Sequence, residues 1–263
     1  MDASFKQTLF LLEIMSDRID LSIIIPNFNS GKFLENTLSS IFLKKTCFSF
    51  EVLIIDNNSS DNPFQYVKKF PLESILFCSD KDNGVYEAMN KGVKLAKGNW
   101  IIFLGAGDEL KVESVNQIEF NPLQNLKLIY GNTLLLKNKK TYDGEFSLLK
   151  LMKRNISHQA IFYHHSLFLE NGSFDTEYRI AADYMYNLKV FLNTSIKVQY
   201  VPLVVSHFLG GGLSDIKRDD LFQENKLLLI NKLVLKSLSW NGFISLISYN
   251  LYYLKKFIQF RIG

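Results

Sequence analysis

The chain has 263 residues, 47% hydrophobic and 21% charged, with a formal net charge of +4. That length holds one sizeable core, and that balance excludes a disordered chain. The +4 is concentrated at the end: Leu221 to Gly263 carries six basic residues against the single acid Glu224. The rest is near neutral and lacks the basic face that a nucleic-acid reader needs.

Two cysteines, Cys47 and Cys78, give no disulfide framework and no metal-ligand spacing, which points to a reducing compartment. Met1 to Asp20 contains the apolar Leu9-Phe10-Leu11-Leu12, but Glu13, Asp17 and Asp20 follow soon after. Without a basic flank or a small-residue cleavage site, residues 1–20 read as an N-terminal extension and not as a signal peptide. No apolar run is long enough for a membrane span.

Three apolar runs then stop abruptly at polar clusters. Leu21 to Ile25 ends in Pro26-Asn27-Phe28-Asn29, Val52 to Ile55 in Asp56-Asn57-Asn58-Ser59-Ser60-Asp61, and Trp100 to Leu104 in Gly105-Ala106-Gly107-Asp108-Glu109. Short apolar runs without alternation predict strands buried on both faces, as in a parallel sheet between helices. Ligands of such sheets bind beyond the carboxyl ends of the strands, where these clusters gather.

A helix is predicted over Ser30 to Lys44, capped by Asn29 or Ser30, with Phe33, Leu34, Leu38, Ile41 and Phe42 on its apolar face. Asp61-Asn62-Pro63 starts a second. Val85, Ala88, Met89, Gly92, Val93 and Ala96 fall at helical spacing and mark a third, with Gly98 at the position of a left-handed C′ residue. Close alternation of strand and helix gives an α/β layer. After Asp108 the order changes. Strands are predicted at Leu126–Tyr130, Thr133–Leu136, Gln159–Tyr163, Ile196–Val201 and Leu203–Phe208, and helices at Leu148–Lys153 and Asp183–Phe191. Gly210-Gly211-Gly212 marks a loop before a helical tail.

Taken together, these residues resemble the family-2 glycosyltransferases of GT-A fold, particularly bacterial members that build surface polysaccharides such as O-antigen, capsule or exopolysaccharide. The resemblance spans Leu21 to Ser214. It is carried by Ser22 to Asn29, Ile54 to Asp61, Ser79 to Gly92, Ile156-Ser157-His158-Gln159-Ala160, Ile180-Ala181-Ala182-Asp183-Tyr184 and Gly210-Gly211-Gly212-Leu213-Ser214. It implies an α/β fold with a mostly parallel central sheet flanked by helices. The expected organisation is an extension over 1–20, the transferase domain over 21–220 and a basic amphipathic helical tail over 221–263.

By the same resemblance, Pro26, Asn27, Asn29 and Asp56 hold the nucleoside of a sugar nucleotide, and Asp82, Gly84 and Asn90 lie along the donor, with Lys91 a weaker candidate. His158 and Gln159 contact acceptor or phosphate. Asp183 is the catalytic base. The family's Asp-x-Asp metal motif is reduced here to Asp108, which would share a divalent ion, Mn²⁺ or Mg²⁺, with the donor diphosphate. Competing local readings exist for three carboxylates: Asp56 shaping its turn, Asp108 capping a turn, and Asp183 as an N-cap. His164, His165 and His207 read as ordinary loop or strand-end residues.

The implied activity is inverting transfer of a hexose, from a UDP-sugar, to a lipid-diphosphate-linked saccharide. The implied place is the cytoplasmic face of the cell membrane, with the tail on the lipid surface. The alternatives are a non-catalytic sugar-nucleotide-binding protein, which the reduced metal motif would allow, and a nucleotidyltransferase. The latter is disfavoured because no Gly-rich basic loop follows the first strand.

Overall fold

The computed structural model describes residues 19–120, 125–211, 219–237 and 239–262. Most of the N-terminal extension and the Gly212-Leu213-Ser214 part of the last motif lie outside these.

Three of the sequence runs become the centre of one sheet. β1 (Leu21–Asn27) pairs in parallel with β2 (Phe50–Asp56) on one side and, across the third run, with β4 (Trp100–Phe103) on the other. β3 (Ile75–Ser79) adds to the free side of β2, also in parallel. The largely apolar character of β1 has a direct cause. Leu21, Ile23 and Ile25 pack with Leu34, Leu38 and Ile41 of helix α1 (Gly31–Phe42), while Ile24 packs with Met89 and Val93 on the other face. Alternate side chains point to opposite faces, and a helix covers each, so the run is apolar except at Ser22, whose buried hydroxyl donates to Glu51 at 2.6 Å.

The short helix α2 (Phe64–Val67) follows Pro63, and α3 (Val85–Leu95) covers the second face of the sheet. Gly98 is not left-handed. α3 ends at Ala96 in extended backbone, and Gly98 has no side chain because a Cβ there would stand 2.6 Å from the Ser22 nitrogen. Nor does a side chain of Asn29 or Ser30 cap α1. The Gly31 N–H instead donates to Asp61 Oδ2 at 2.7 Å, tying the start of α1 to the loop after β2.

The second half turns the sheet from parallel to mixed. After β5 (Glu109–Leu110) and α4 (Val112–Val115), β6 (Leu126–Leu135) runs as one strand where two were expected. Gly131 marks the predicted break: a Cβ there would meet the Leu203 oxygen at 2.7 Å, so glycine permits the close approach of β9 (Lys197–Phe208). β9 likewise fuses two predicted strands. Its pairing with β6 shifts register around Tyr130 and Asn132, opposite Pro202, and an irregular point of a ladder accommodates a residue without an N–H. β7 (Lys140–Tyr142) makes a hairpin with β6. α5 (Leu148–Lys153) matches its prediction. The Gln159 end of the next expected strand is a 3₁₀ turn (His158–Ala160) leading into β8 (Ile161–His164). The order across the sheet is β3-β2-β1-β4-β8-β6-β9-β5, with β8 antiparallel to both β4 and β6.

α6 (Ser166–Asn171) and α7 (Ala182–Leu192) complete the layer on the β8 side. The tail is a helical hairpin, α8 (Asp220–Ser237) and α9 (Trp240–Ile262), whose inner residues Phe222, Ile230, Val234, Leu246 and Tyr249 are buried in the same core cluster as Tyr184 and Leu188 of α7. Both cysteines are free thiols.

Candidate active site

The carboxyl ends of β1, β2 and β3 carry Asn27, Asp56 and Ser79 in register. Asp56 is 1% exposed and takes hydrogen bonds from all sides. Asn27 Nδ2 donates to Oδ1 at 2.7 Å, as does the Ser59 hydroxyl, while the Ser59 N–H (3.0 Å) and the Ser79 hydroxyl (2.6 Å) donate to Oδ2. Burial alone would raise its pKa, but these donors together outweigh burial and hold the carboxyl below its usual value. Four donors fill the acceptor capacity of a carboxylate. Asp56 thus joins three strands and a turn through its side chain. The open acceptor nearby is Asn27 Oδ1, buried and without a partner.

Asn29 adopts φ +49° and locks the first two loops together. Its N–H donates to the Ser59 hydroxyl at 2.9 Å, and its Oδ1 accepts from the Ser60 N–H at 2.9 Å. Pro26 lies beside Ile55 in the ladder. Asp82 Oδ1 accepts the Gly84 N–H at 2.9 Å, and Gly84, with φ +147°, takes a backbone conformation that favours glycine just before α3. Asp82 Oδ2 is buried with no partner, and burial pushes this carboxyl up. Asn90 clamps the backbone of Phe174, donating to its oxygen at 2.9 Å and accepting its N–H at 3.0 Å. Lys91 donates to the Lys81 carbonyl at 2.7 Å and pairs loosely with Asp80 and Glu87.

The remaining candidates line one cleft of about 970 Å³, with Asp108, His158, Gln159, Tyr86, Asn155 and Asp183 on its wall. Asp108 is 5% exposed. Gln159 Nε2 donates to its Oδ2 at 2.9 Å and the Leu209 N–H to its Oδ1 at 3.1 Å. Gly105 makes room for it, since a Cβ there would come 2.8 Å from Asp108 Oδ2. Burial raises the Asp108 pKa, offset in part by Gln159, Leu209 and His158. The carboxylate therefore stands in the cleft without a cation paired to it among the described residues. No three His, Cys, Asp or Glu side chains gather as a metal site among those residues. His207 pairs with Glu109 across the β5–β9 ladder at 2.9 Å, and His164 lies against Ser166 and edge-on to Trp100.

Asp183 sits in the first turn of α7 and is buried. The Tyr86 hydroxyl reaches its Oδ1 at 2.6 Å, and Asn155 Nδ2 donates to Oδ2 at 2.8 Å. It makes no N-cap bond; Ala181 holds that position. Sequence reasoning missed Tyr86, Asn155 and Asp219. The signal for the first two was weak but present: Tyr86 lies inside the Ser79–Gly92 motif and Asn155 just before the Ser-His-Gln motif. Nothing in the sequence marked Asp219.

The profile described as "Glycosyl transferase family 2" matches residues 22–119. A PGL/p-HBAD biosynthesis glycosyltransferase of Mycobacterium bovis is 36% identical over 212 residues, covering 76% of this chain and 81% of that one. The chain belongs to glycosyl transferase family 2. A second relative of this glycosyltransferase is the Escherichia coli UDP-Glc:alpha-D-GlcNAc-diphosphoundecaprenol beta-1,3-glucosyltransferase WfgD, 32% identical over 120 residues, 45% of this chain and 47% of that one. The fold is that of the Staphylococcus aureus TarS fragment crystallised with UDP-GlcNAc: TM-score 0.70 at 18% identity, over 88% of this chain and 71% of that one.

The Asp56 network makes a stability prediction. A carboxyl held low in the folded state stabilises above its unfolded value, about 3.9, and that stabilisation is lost as pH falls through the lower folded value. Asp56→Asn keeps the shape but brings an amide donor towards groups that already donate. It should cost roughly 3 kcal/mol at pH 7. In urea unfolding the gap to wild type should stay constant from pH 7 to about pH 5 and narrow below about pH 4.

Proposed function

We propose that this glycosyltransferase moves a hexose from a nucleotide sugar, UDP-linked, to a lipid-diphosphate-linked saccharide with inversion, Asp183 acting as the base. The observation that carries the reading is a buried carboxylate, Asp183, on the same cleft wall as Asp108, with each of its oxygens held by one donor. A base must be oriented towards the hydroxyl that it deprotonates, and Tyr86 and Asn155 fix that orientation. In-line attack by that hydroxyl on the anomeric carbon expels the nucleoside diphosphate from the opposite face. The name of WfgD supports UDP-glucose chemistry on a lipid diphosphate, and the TarS complex supports a UDP-sugar donor. The Asn27 Oδ1 and Asp82 Oδ2 atoms, buried and unpartnered, suit N–H and O–H donors of such a ligand.

A divalent ion fits this site as a ternary partner. Asp108 offers one buried carboxylate, and Gln159, the Leu209 N–H and His158 offset its burial only in part. One carboxylate with diphosphate oxygens and water is a reasonable set for Mg²⁺ or Mn²⁺. When bound, the ion supplies charge compensation for the departing diphosphate. Calorimetry should show Mn²⁺ tightening UDP binding to the wild type, with weak binding of Mn²⁺ to the protein alone. Asp108→Ala should abolish that enhancement; a variant in which Mn²⁺ still tightens UDP would return Asp108 to a turn-capping role.

The main test is a screen of UDP-, GDP- and dTDP-sugars against a lipid-diphosphate-linked acceptor, with and without Mn²⁺. Asp183→Asn should lower turnover of the selected donor by roughly 10²- to 10⁴-fold with UDP affinity unchanged. A near wild-type rate would remove Asp183 from the mechanism, and no nucleoside-diphosphate binding at millimolar ligand would end the reading.

The tail is proposed to rest on the inner membrane surface beside such an acceptor. α9 buries Leu246 and Tyr249 inward, yet Trp240, Phe243, Ile244, Ile247, Leu251 and Leu254 form an exposed apolar stripe at helical spacing. An exposed apolar stripe of this length, in addition to the buried one, calls for a second apolar partner. Among the described residues no helix is long and apolar enough to cross a membrane, so the helix would lie on the surface. Exposed Lys232, Lys236 and Lys255 would each add roughly 1 kcal/mol at an anionic surface. Lys226 would not, because it is half-buried over Tyr184, its pKa lowered to about 8 by burial. The protein should co-sediment with anionic vesicles and be released by salt, while Phe243→Asp with Ile247→Asp and Leu251→Asp should stay in the supernatant. If wild type also stays there, the membrane reading is wrong.

A further inference from the structure

Tyr86 stands in the first turn of α3, 6% exposed, and its hydroxyl has two acceptors within reach. Asp183 Oδ1 lies at 2.6 Å and the carbonyl oxygen of Ile180 at 2.7 Å. A phenol has one hydrogen and can also accept, so it donates to one of these at a time. The other oxygen of Asp183 is served differently. Asn155 Nδ2 donates to Oδ2, Asn187 Nδ2 donates to Asn155 Oδ1 at 2.9 Å, and the Tyr163 hydroxyl donates to Asn187 Oδ1 at 2.8 Å. That chain fixes the Asn155 amide with its N–H towards Asp183, so it can donate to the carboxyl but never accept from it.

We propose that Tyr86 is a positioning residue that partners Asp183 in both of its protonation states. Before transfer its hydroxyl donates to the Asp183 carboxylate. During transfer the acceptor oxygen forms the new bond to the anomeric carbon and gives its proton to Asp183. The bond from that carbon to the diphosphate breaks, and its electron pair leaves with the nucleotide. Asp183 Oδ1 then keeps the proton and donates a hydrogen bond through it to Tyr86 Oη, whose own hydrogen turns to the Ile180 carbonyl. Neither state leaves a buried hydroxyl or carboxyl without a partner, an omission that is costly away from water.

The Ile180 carbonyl is held in place for this. The Ile180 and Ala181 N–H groups both donate to Asp219 Oδ2, at 2.9 and 3.2 Å, and Asp219 Oδ1 takes the Phe222 N–H at 3.1 Å. Tyr142, Tyr163 and Tyr184 also interact electrostatically with Asp183, and burial pushes the phenol of each upward, so they keep their protons. Burial does the same to Tyr86, which therefore exchanges partners without losing its proton.

This inference rests on Asp183 being the base, and the test separates the two. Tyr86→Phe keeps the ring against Phe174, at 5.5 Å between centroids, and deletes only the hydroxyl. With the nucleotide sugar selected by the screen above, its kcat should fall roughly 10- to 100-fold, because Asp183 loses the group that holds Oδ1 in its orientation and a misplaced base costs about that much. Donor KM and UDP affinity should stay within about twofold, because the hydroxyl serves the base and not donor binding. The acid limb of the rate profile should move to higher pH, since a carboxylate robbed of a donor takes up its proton more readily. An unchanged limb and kcat, or a loss shared equally by UDP binding and thermal stability, would overturn the proposal and leave Tyr86 a packing residue. Should Tyr86→Phe fail to fold, Tyr86→3-fluorotyrosine keeps ring and hydroxyl, strengthens the donor and should move the limb to lower pH; no movement overturns the proposal equally. If Asp183→Asn remains active, the base reading fails and Tyr86 falls with it. If Asp183→Asn is inactive while Tyr86→Phe behaves as wild type, only the present inference fails.

Discussion

One buried carboxylate sets the geometry on which the rest depends. Asp56 ends β2 between Asn27 of β1 and Ser79 of β3, and it accepts from both as well as from the turn at Ser59. At the carboxyl ends of parallel strands the chain leaves the sheet, and the polar groups brought there need hydrogen-bond partners. Fixing three strand ends to one side chain lets the loops after them be short and ordered. Asn29 extends the same lock by bonding to Ser59 and Ser60, and Asp61 reaches Gly31 to seat α1. The polar clusters of the sequence are therefore first a scaffold. What they leave open, Asn27 Oδ1 and Asp82 Oδ2, is a small set of acceptors on an otherwise satisfied surface.

The cleft follows from the change of strand direction beyond β4. The parallel half delivers Asp108 just after β4, and antiparallel β8 brings the 3₁₀ turn with His158 and Gln159 to meet it. α7 then sets Asp183 on the same cleft. A purely parallel sheet would send the start of β8 to the opposite end of the layer. Asp108 and Gln159 meet because the second half of the sheet contains a strand running the other way.

The sequence exposed these features unevenly, for physical reasons. β1, β2 and β4 were legible because both faces are covered and their central positions form short apolar runs. β3 was not foreseen: it is an edge strand with one neighbour, its residues half-exposed, so no continuous run announces it. β6 and β9 were each read as two strands because Gly131 and Pro202 look like breaks, whereas in space they are the irregular point at which one strand passes the other. Gly98 was read as a helix terminator by position alone, but contact with Ser22, 76 residues away in sequence, is what excludes a side chain there. The carboxylates could be picked out individually from their motifs. Their partners could not, because the Tyr86–Asp183 contact joins residues 97 apart with no local pattern to betray it.

Asp219 shows why the C-terminal hairpin is more than an attachment. It lies immediately before α8 and holds the peptide groups of Ile180 and Ala181, the two residues that lead into α7 and Asp183. Phe222, one turn further on, packs against Tyr184, the residue after Asp183. The hairpin thus grips the start of α7 by hydrogen bonds on one side and by an aromatic contact on the other, while α9 seats on α5 and leaves its apolar stripe outward. Groups that orient a buried carboxylate must be rigid to be useful, and rigidity at a helix start comes from what is packed around it. The outward apolar stripe and the support of Asp183 are therefore parts of one helical unit, so the orientation of that unit against any partner surface would also set the orientation of the cleft.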